Sequence, residues 1–302
     1  MQQIIKTFIM LKGAYTLMIT PFKENGSLDE KGLEQLVERQ VAAGIHGIAP
    51  LGVTGENTLI TDEEELNVLK IIVKTAKGKC KIVPDTCASS LWRAKEKVKA
   101  FSDIGADYIS VFSPFFVLPK PEGVIKFYEQ LADISPVPIV LHNSQDRTGI
   151  NLEPTTTALL AKHPNIKGIK DGNKGLDHLA KVIFLTKDDD FEVFTGKDTT
   201  AFPMMCFGGA GSFTVAGNVI PKVMKEMVDL ALSGVAERAK LLHYQYYPLF
   251  EALRWETNPM AAKMALNLMG LPGGGLRMPL TPLSKEKTEK LKAILVDKGL
   301  LK

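Results

Sequence analysis

The stretch "IKGIKDGN", Ile166 to Asn173, runs apolar residues into a lysine and then into a glycine-containing turn. An ammonium group is costly to take out of water, so lysine is rarely buried without a partner. Lys170 is therefore either a surface residue at a strand end or an amine kept for chemistry. The rest of the chain says what kind of strand carries it. Seven more short apolar runs occur: "AYTLMIT" (14–20), "IHGIAP" (45–50), "KIVPDT" (81–86), "DYISVF" (107–112), "VPIVLHN" (137–143), "FEVFTG" (191–196) and "GSFTV" (211–215). Amphipathic segments lie between them. Strand then helix, eight times over, defines a parallel sheet. Eight such units in about 200 residues have the size of a (β/α)8 TIM barrel. A doubly wound open sheet is the alternative. It is disfavoured because no strand leads into a dinucleotide-type glycine fingerprint; "GGAG" (208–211) and "PGGG" (272–275) have the wrong spacing and read as turns.

Two helix starts carry the spacing of a capping box, "SLDE" (Ser27 to Glu30) and "TDEE" (Thr61 to Glu64). The first predicts a helix with Leu33, Leu36, Val37 and Val41 on one face, ending at Gly44. The second carries Leu66, Leu69, Ile72 and Val73, with acidic residues suited to the helix dipole. Further helices are expected at 90–104, 121–134, 154–163, 174–186 and 199–207. After Val215 the alternation stops. The reading is a barrel over 1–217, with 1–10 as an N-terminal extension, and a helical C-terminal region over 218–302 packed on it. A Pro/Gly-rich interruption falls at 270–282.

The composition fits a soluble globular protein, with 45% hydrophobic and 24% charged residues. The net charge of +3 is spread along the chain, which argues against nucleic acid and against an anionic membrane surface. No apolar stretch is long enough to span a bilayer. Cys80, Cys87 and Cys206 are odd in number and form no CxxC pair, so they read as reduced thiols of a cytoplasmic protein. "MQQIIKTFIMLKGAY" lacks a convincing cleavage site and is not read as a signal peptide. The histidines at 46, 163, 178 and 243 have no metal-ligand spacing, and neither metal nor cofactor is expected.

In a TIM barrel the chemistry sits at the C-terminal ends of the strands. "PLGVTGEN" (50–57), "SPFF" (113–116), "LHNSQDRTG" (141–149) and Lys170 all reach that face. Gly168 shares a side with Lys170 and is expected to leave room beneath it. Desolvation would lower the pKa of the amine and make it a nucleophile toward a ketone or aldehyde. An ion pair with Asp171 or another carboxylate is the plainer alternative. The glycine-bracketed turn offers backbone N–H groups to a carboxylate, with the Thr54 hydroxyl as a further donor, or is an ordinary connection. His142 is suited to proton transfer near neutrality, or is a hydrogen-bonded core residue. Arg147 is suited to clamping a carboxylate, or is solvated.

Taken in order, "ITPF" (19–22), "GVTGE" (52–56), "SPFF" (113–116), "LHNSQDRTG" (141–149), "GIKDG" (168–172), "TGKD" (195–198) and "RMPLTPL" (277–283) give the chain a family likeness. It resembles the dihydrodipicolinate synthase / N-acetylneuraminate lyase family of Schiff-base enzymes from about Lys12 to Leu301. The resemblance implies a barrel with a C-terminal helical extension, assembled as a homo-oligomer, dimer or tetramer. It implies Lys170 as the residue forming an imine with pyruvate or a related 2-keto acid, with an aldehyde as second substrate. Thr54 and Gly55 would hold the keto acid's carboxylate through their amides. Arg147 would grip the second substrate, which tilts the reading toward the dihydrodipicolinate synthases. Three positions depart from the family's hydroxyl relay: His142 and Phe116 stand where tyrosines are usual, and Val53 replaces threonine or serine. With Phe213, these complete the expected site. Lys197 stands where an acidic residue is usual. The function expected is a lysine-imine carbon–carbon lyase. The alternatives are a 2-keto-3-deoxy sugar-acid aldolase or dehydratase and a non-catalytic keto-acid-binding homologue.

Overall fold

A computed structural model describes residues 11–172 and 175–301. The N-terminal extension 1–10, Asn173, the expected helix start at 174 and Lys302 lie outside the described residues.

The strands are β1 (Gly13–Leu17), β2 (Gly47–Ala49), β3 (Lys81–Ile82), β4 (Asp85–Thr86), β5 (Ile109–Phe112), β6 (Ile139–Asn143), β7 (Ile166–Asp171), β8 (Glu192–Thr195) and β9 (Gly211–Thr214). All pair in parallel, in the order β3-β2-β1-β9-β8-β7-β6-β5-β4. The third expected strand is thus split into β3 and β4 around Val83 and Pro84, because proline has no N–H to give a ladder. The backbone still runs through the break. Val83 and Asp85 donate to Ile48 and Pro50 on one side, while Ile82 and Pro84 accept from Asp107 and Ser110 on the other. Residues 81–86 therefore join both ends of the sheet, and the eight runs close into a barrel. Their burial is nearly continuous on both faces, as a sheet sheathed by helices requires.

The helices are α1 (Glu30–Ala42), α2 (Asp62–Ala76), α3 (Leu91–Ile104), α4 (Pro121–Ile134), α5 (Gln145–Thr148), α6 (Pro154–Leu160), α7 (Leu176–Thr186), α8 (Ala201–Cys206), α9 (Pro221–Leu232), α10 (Ala236–Ala252), α11 (Met260–Leu268) and α12 (Lys285–Asp297). The capping box expected at Thr61 forms as read, with the Thr61 hydroxyl and the Glu64 carboxylate each accepting from the other residue's backbone N–H. The one expected at Ser27 does not. Asp29 caps α1 instead, its carboxylate accepting from Gly32, while Ser27 hydrogen-bonds to Asn25. An aspartate two positions on competes for the same role, and the chain uses it. The helical region begun at residue 218 in the sequence reading opens with α9, which packs on β1 and β9 as a ring helix does. Then α10, α11 and α12 pack together beyond it.

The C-terminal segment is tied back to the barrel mouth. Arg277 is bidentate to Glu64, caps the Gly26 and Leu59 carbonyls and stacks over Phe22 at 4.2 Å. Lys263 forms a buried pair with Glu56 and donates to the Gly275 carbonyl. These contacts hold the turn after β2 and the loop after α11 against each other, and both border the site.

Candidate active site

The register of β5, β6 and β7 decides what meets at the mouth. His142 lies directly across from Lys170 on one side and from Phe112 on the other, so the three side chains share one face. Lys170 is 4% exposed and His142 likewise 4%. The buried lysine is not unpartnered. Its Nζ donates to Asp85 Oδ2 at 2.9 Å and lies 3.4 Å from His142 Nδ1. The same His142 Nδ1 lies 3.0 Å from Asp85 Oδ1. Asp85, at the start of β4, is fully buried. One carboxylate therefore engages two bases, one with each oxygen.

The sequence reading did not single out Asp85. Its signal was an acid inside the apolar run "KIVPDT", an arrangement that needs a partner to be stable. The reading did raise an ion pair for Lys170, but with Asp171 as the named carboxylate. Asp171 is the next residue along β7 and faces the other way, toward His178 at 3.0 Å and the Asn143 amide at 3.1 Å. Gly168 also has a different purpose from the one expected. A Cβ there would lie 2.5 Å from the Glu192 carbonyl, so the glycine serves the close approach of β8 and does not make room for the lysine. Gly52 is what lets Asp85 stand where it does, since a Cβ at 52 would collide with the Asp85 carboxylate.

Burial pushes the Lys170 amine below its ordinary pKa, against the pull of Asp85. Burial also lowers His142, again opposed by Asp85. For Asp85 burial acts upward, but attraction to His142 and Lys170 in their protonated forms, with the hydrogen bond from His142, outweighs it and holds the carboxyl well below the usual range. The cluster thus keeps a fixed anion beside two bases that compete for a proton. His142 is further fixed by the Phe112 ring, whose centroid is 3.7 Å away.

A small cavity of about 70 Å³ opens above this cluster, walled by Lys170, His142, Val53, Thr54, Arg147 and Lys197 among others. Val53, Arg147 and Asn258 also border a larger, mainly apolar cavity of about 280 Å³, walled by Leu59, Cys87, Phe112, Phe115 and Leu280. The Thr54 hydroxyl accepts from the Asn258 amide at 2.7 Å and retains its own proton to donate. Arg254 and Asn258 come from the C-terminal helical region, and no motif in the sequence marked them.

Three expected site residues lie elsewhere. Gly55 borders neither cavity; its N–H is spent on the Gly52 carbonyl inside a turn of 3-10 helix (Val53–Gly55), and its own carbonyl accepts from Thr20. The open nest expected there is wound up by that turn. Phe213 is fully buried in the barrel interior, stacked on Tyr15, with its ring centroid 5.5 Å from Lys170 Nζ. It underlies the lysine and does not wall the cavity. Phe116 is 93% exposed and points away, and Phe115 borders the larger cavity in its place. No cluster of metal-ligating side chains occurs among the described residues. Cys80, Cys87 and Cys206 form no disulfide, and among the described residues no helix is long and apolar enough to cross a membrane.

A desolvated lysine at the C-terminal mouth of a closed parallel barrel is the layout of a Schiff-base aldolase. The chain belongs to the dihydrodipicolinate synthetase family, whose model matches residues 10–298. It is an enzyme of the lyase class. It is 38% identical to the 4-hydroxy-tetrahydrodipicolinate synthase of Methanospirillum hungatei over 95% of this chain and 99% of that protein. Among solved structures, dihydrodipicolinate synthase from Thermotoga maritima superposes with a TM-score of 0.94 at 35% identity, covering 97% of this chain and 100% of that one. The chloride-inhibited enzyme from Acinetobacter baumannii, complexed with pyruvate, gives a TM-score of 0.94 at 34% identity, covering 97% and 100%. The barrel and its helical extension are thus those of the family.

Proposed function

We propose that this enzyme holds pyruvate as an imine on Lys170 and condenses it with an aldehyde that carries a carboxylate, the reaction named for its relatives. One observation carries the reading: a buried amine walls a small cavity at the barrel mouth together with His142, Thr54 and Arg147. A neutral amine is the nucleophilic form, and desolvation eases the loss of the proton that yields it. Thr54 would orient the keto acid through its hydroxyl, and Arg147, on the border of both cavities, would take the carboxylate of the incoming aldehyde. His142 would move protons in place of the absent hydroxyls. Val53 contributes shape alone.

Incubation with pyruvate followed by borohydride should fix a mass adduct on Lys170. Consumption of aspartate semialdehyde should then depend on pyruvate. An adduct without that consumption favours a sugar-acid aldolase or dehydratase, a reading that Lys197 and Arg254 at the cavity wall support through their positive charge. No adduct at all leaves the non-catalytic keto-acid-binding homologue.

Assembly as a homo-oligomer belongs to the same reading. Phe116, Val117 and Leu118 form an apolar tip exposed at 93%, 62% and 58%. Phe116 and Leu118 hold positive φ values of 71° and 42°, a backbone costly for side chains of this kind. An exposed apolar patch marks a contact surface, and a second copy would cover it. Phe116→Asp should shift the enzyme to a smaller species in sedimentation velocity. An unchanged mass would remove this tip from the interface. Three cysteines without a disulfide support a cytoplasmic enzyme on this reading.

A further inference from the structure

The family's hydroxyl relay is absent at Val53, Phe116 and His142, yet the lysine keeps a buried partner that the relay did not include. We propose that Asp85 is the fixed counterion of the Lys170 nitrogen, neutralising the ammonium before the reaction and the iminium after it, while binding His142 so that this ring carries the proton between. This rests on the imine reading above and names the group that makes it work in a chain without the relay.

The geometry supports each part. Asp85 Oδ2 sits 2.9 Å from the reacting nitrogen and Oδ1 sits 3.0 Å from His142 Nδ1. A carboxylate with no exposed surface cannot be neutralised by solvent, so its charge must be met by these two groups. The other titratable groups near it are Cys87, two residues further along the chain, and Tyr128 from α4; burial pushes both pKa values up and the Asp85 charge adds to it, which keeps them neutral. No further cation faces the carboxylate among the described residues that influence it. The nitrogen and the ring lie 3.4 Å apart, close enough for a proton to pass as the amine turns toward the ketone.

The steps balance. The Lys170 ammonium gives a proton to neutral His142. The free amine's lone pair attacks the keto carbon, the carbonyl π electrons move to oxygen, and a proton passes from nitrogen to that oxygen. The imidazolium protonates the resulting hydroxyl, which leaves as water while the nitrogen lone pair forms the C=N bond. Of the ammonium's three protons one stays on the iminium and two leave in the water. The nitrogen carries one positive charge at both ends of the sequence, and the Asp85 charge never changes. A fixed anion at this position needs no reorganisation during the step, which is what favours preorganised charge in catalysis.

The test follows the protonated imine with pH. Cyanoborohydride reduces the iminium and leaves the neutral imine, so the trapping rate with pyruvate reports its pKa. In the native enzyme trapping should persist to alkaline pH. In Asp85→Asn the alkaline midpoint should fall by about one to three units, the range by which a nearby opposite charge moves a group. Asp85→Glu keeps the charge and should restore the midpoint to within about one unit of native. A midpoint unmoved in Asp85→Asn, with trapping intact, overturns the counterion role and leaves the imine reading standing. Absence of trapping in the native enzyme overturns both. If the asparagine variant does not fold, the native enzyme alone still decides. With pyruvate carrying carbon-13 at its keto carbon, the bound signal should stay at the iminium shift up to about pH 9. A change to the neutral imine near pH 7 would refute the proposal.

Discussion

Lys170→Ala should remove the borohydride-fixed adduct completely and lower turnover by on the order of 10⁴-fold or more, the scale seen when a covalent nucleophile is deleted. The loss should fall on kcat, because the imine is a stage of the reaction and not a ground-state contact. The same substitution tests the packing. It strands Asp85, fully buried, with His142 as its remaining partner. Breaking a buried pair from one side costs about 3–5 kcal/mol, although replacing both partners can be neutral. Urea unfolding should therefore show Lys170→Met destabilised by roughly 3 kcal/mol and Lys170→Met combined with Asp85→Leu recovering much of that. If the single variant is as stable as native, the pair is held at little electrostatic tension. A full retention of the adduct in Lys170→Ala would end the imine assignment to this residue.

His142→Ala should slow pyruvate-dependent turnover by about 10²–10⁴-fold, the usual worth of a positioned acid–base group. The effect should appear in kcat and in the rate of imine exchange, with the extent of the trapped adduct at long times kept. The pH dependence separates proton transfer from packing. Burial lowers the His142 pKa, so the ring is the neutral, proton-accepting form through neutral pH and becomes charged only on acidification. The native rate should therefore fall on the acid side through a group titrating below the ordinary imidazole range. His142→Ala should lose that limb. His142→Gln, which keeps a polar side chain against Asp85 but cannot carry a proton, should be as slow as the alanine variant. An alanine variant with native rates would assign proton transfer elsewhere, and a fast glutamine variant would make the ring a spacer.

His142 and Phe112 explain how much of the site could be read early. The motif "LHNSQDRTG" marked a strand end with a histidine and an arginine, and both border the small cavity. Lys170 was legible for the same reason: a charge closing an apolar run is visible in one dimension. The directions of Phe213 and Phe116 were not legible, because a motif gives the order of residues and not the direction of a side chain. Phe213 turns into the barrel interior and Phe116 out into solvent, only one residue from Phe115, which does face the cavity.

By itself the sequence determined the alternation of eight apolar runs with amphipathic helices, the capping box at Thr61, and a lysine at the end of the sixth run. These are local matters of periodicity and propensity, carried by neighbours within a few residues. Only the tertiary structure decided that Asp85 would meet Lys170 from 85 positions away and His142 from 57. That meeting depends on barrel closure through residues 81–86 and on a missing Cβ at Gly52, which clears the space for the carboxylate. Strand spacing along a chain does not encode which ends converge. The closing of the sheet does, because it brings the C-terminal ends of distant strands around one axis and sets Asp85 against Lys170 and His142 where burial shuts out solvent.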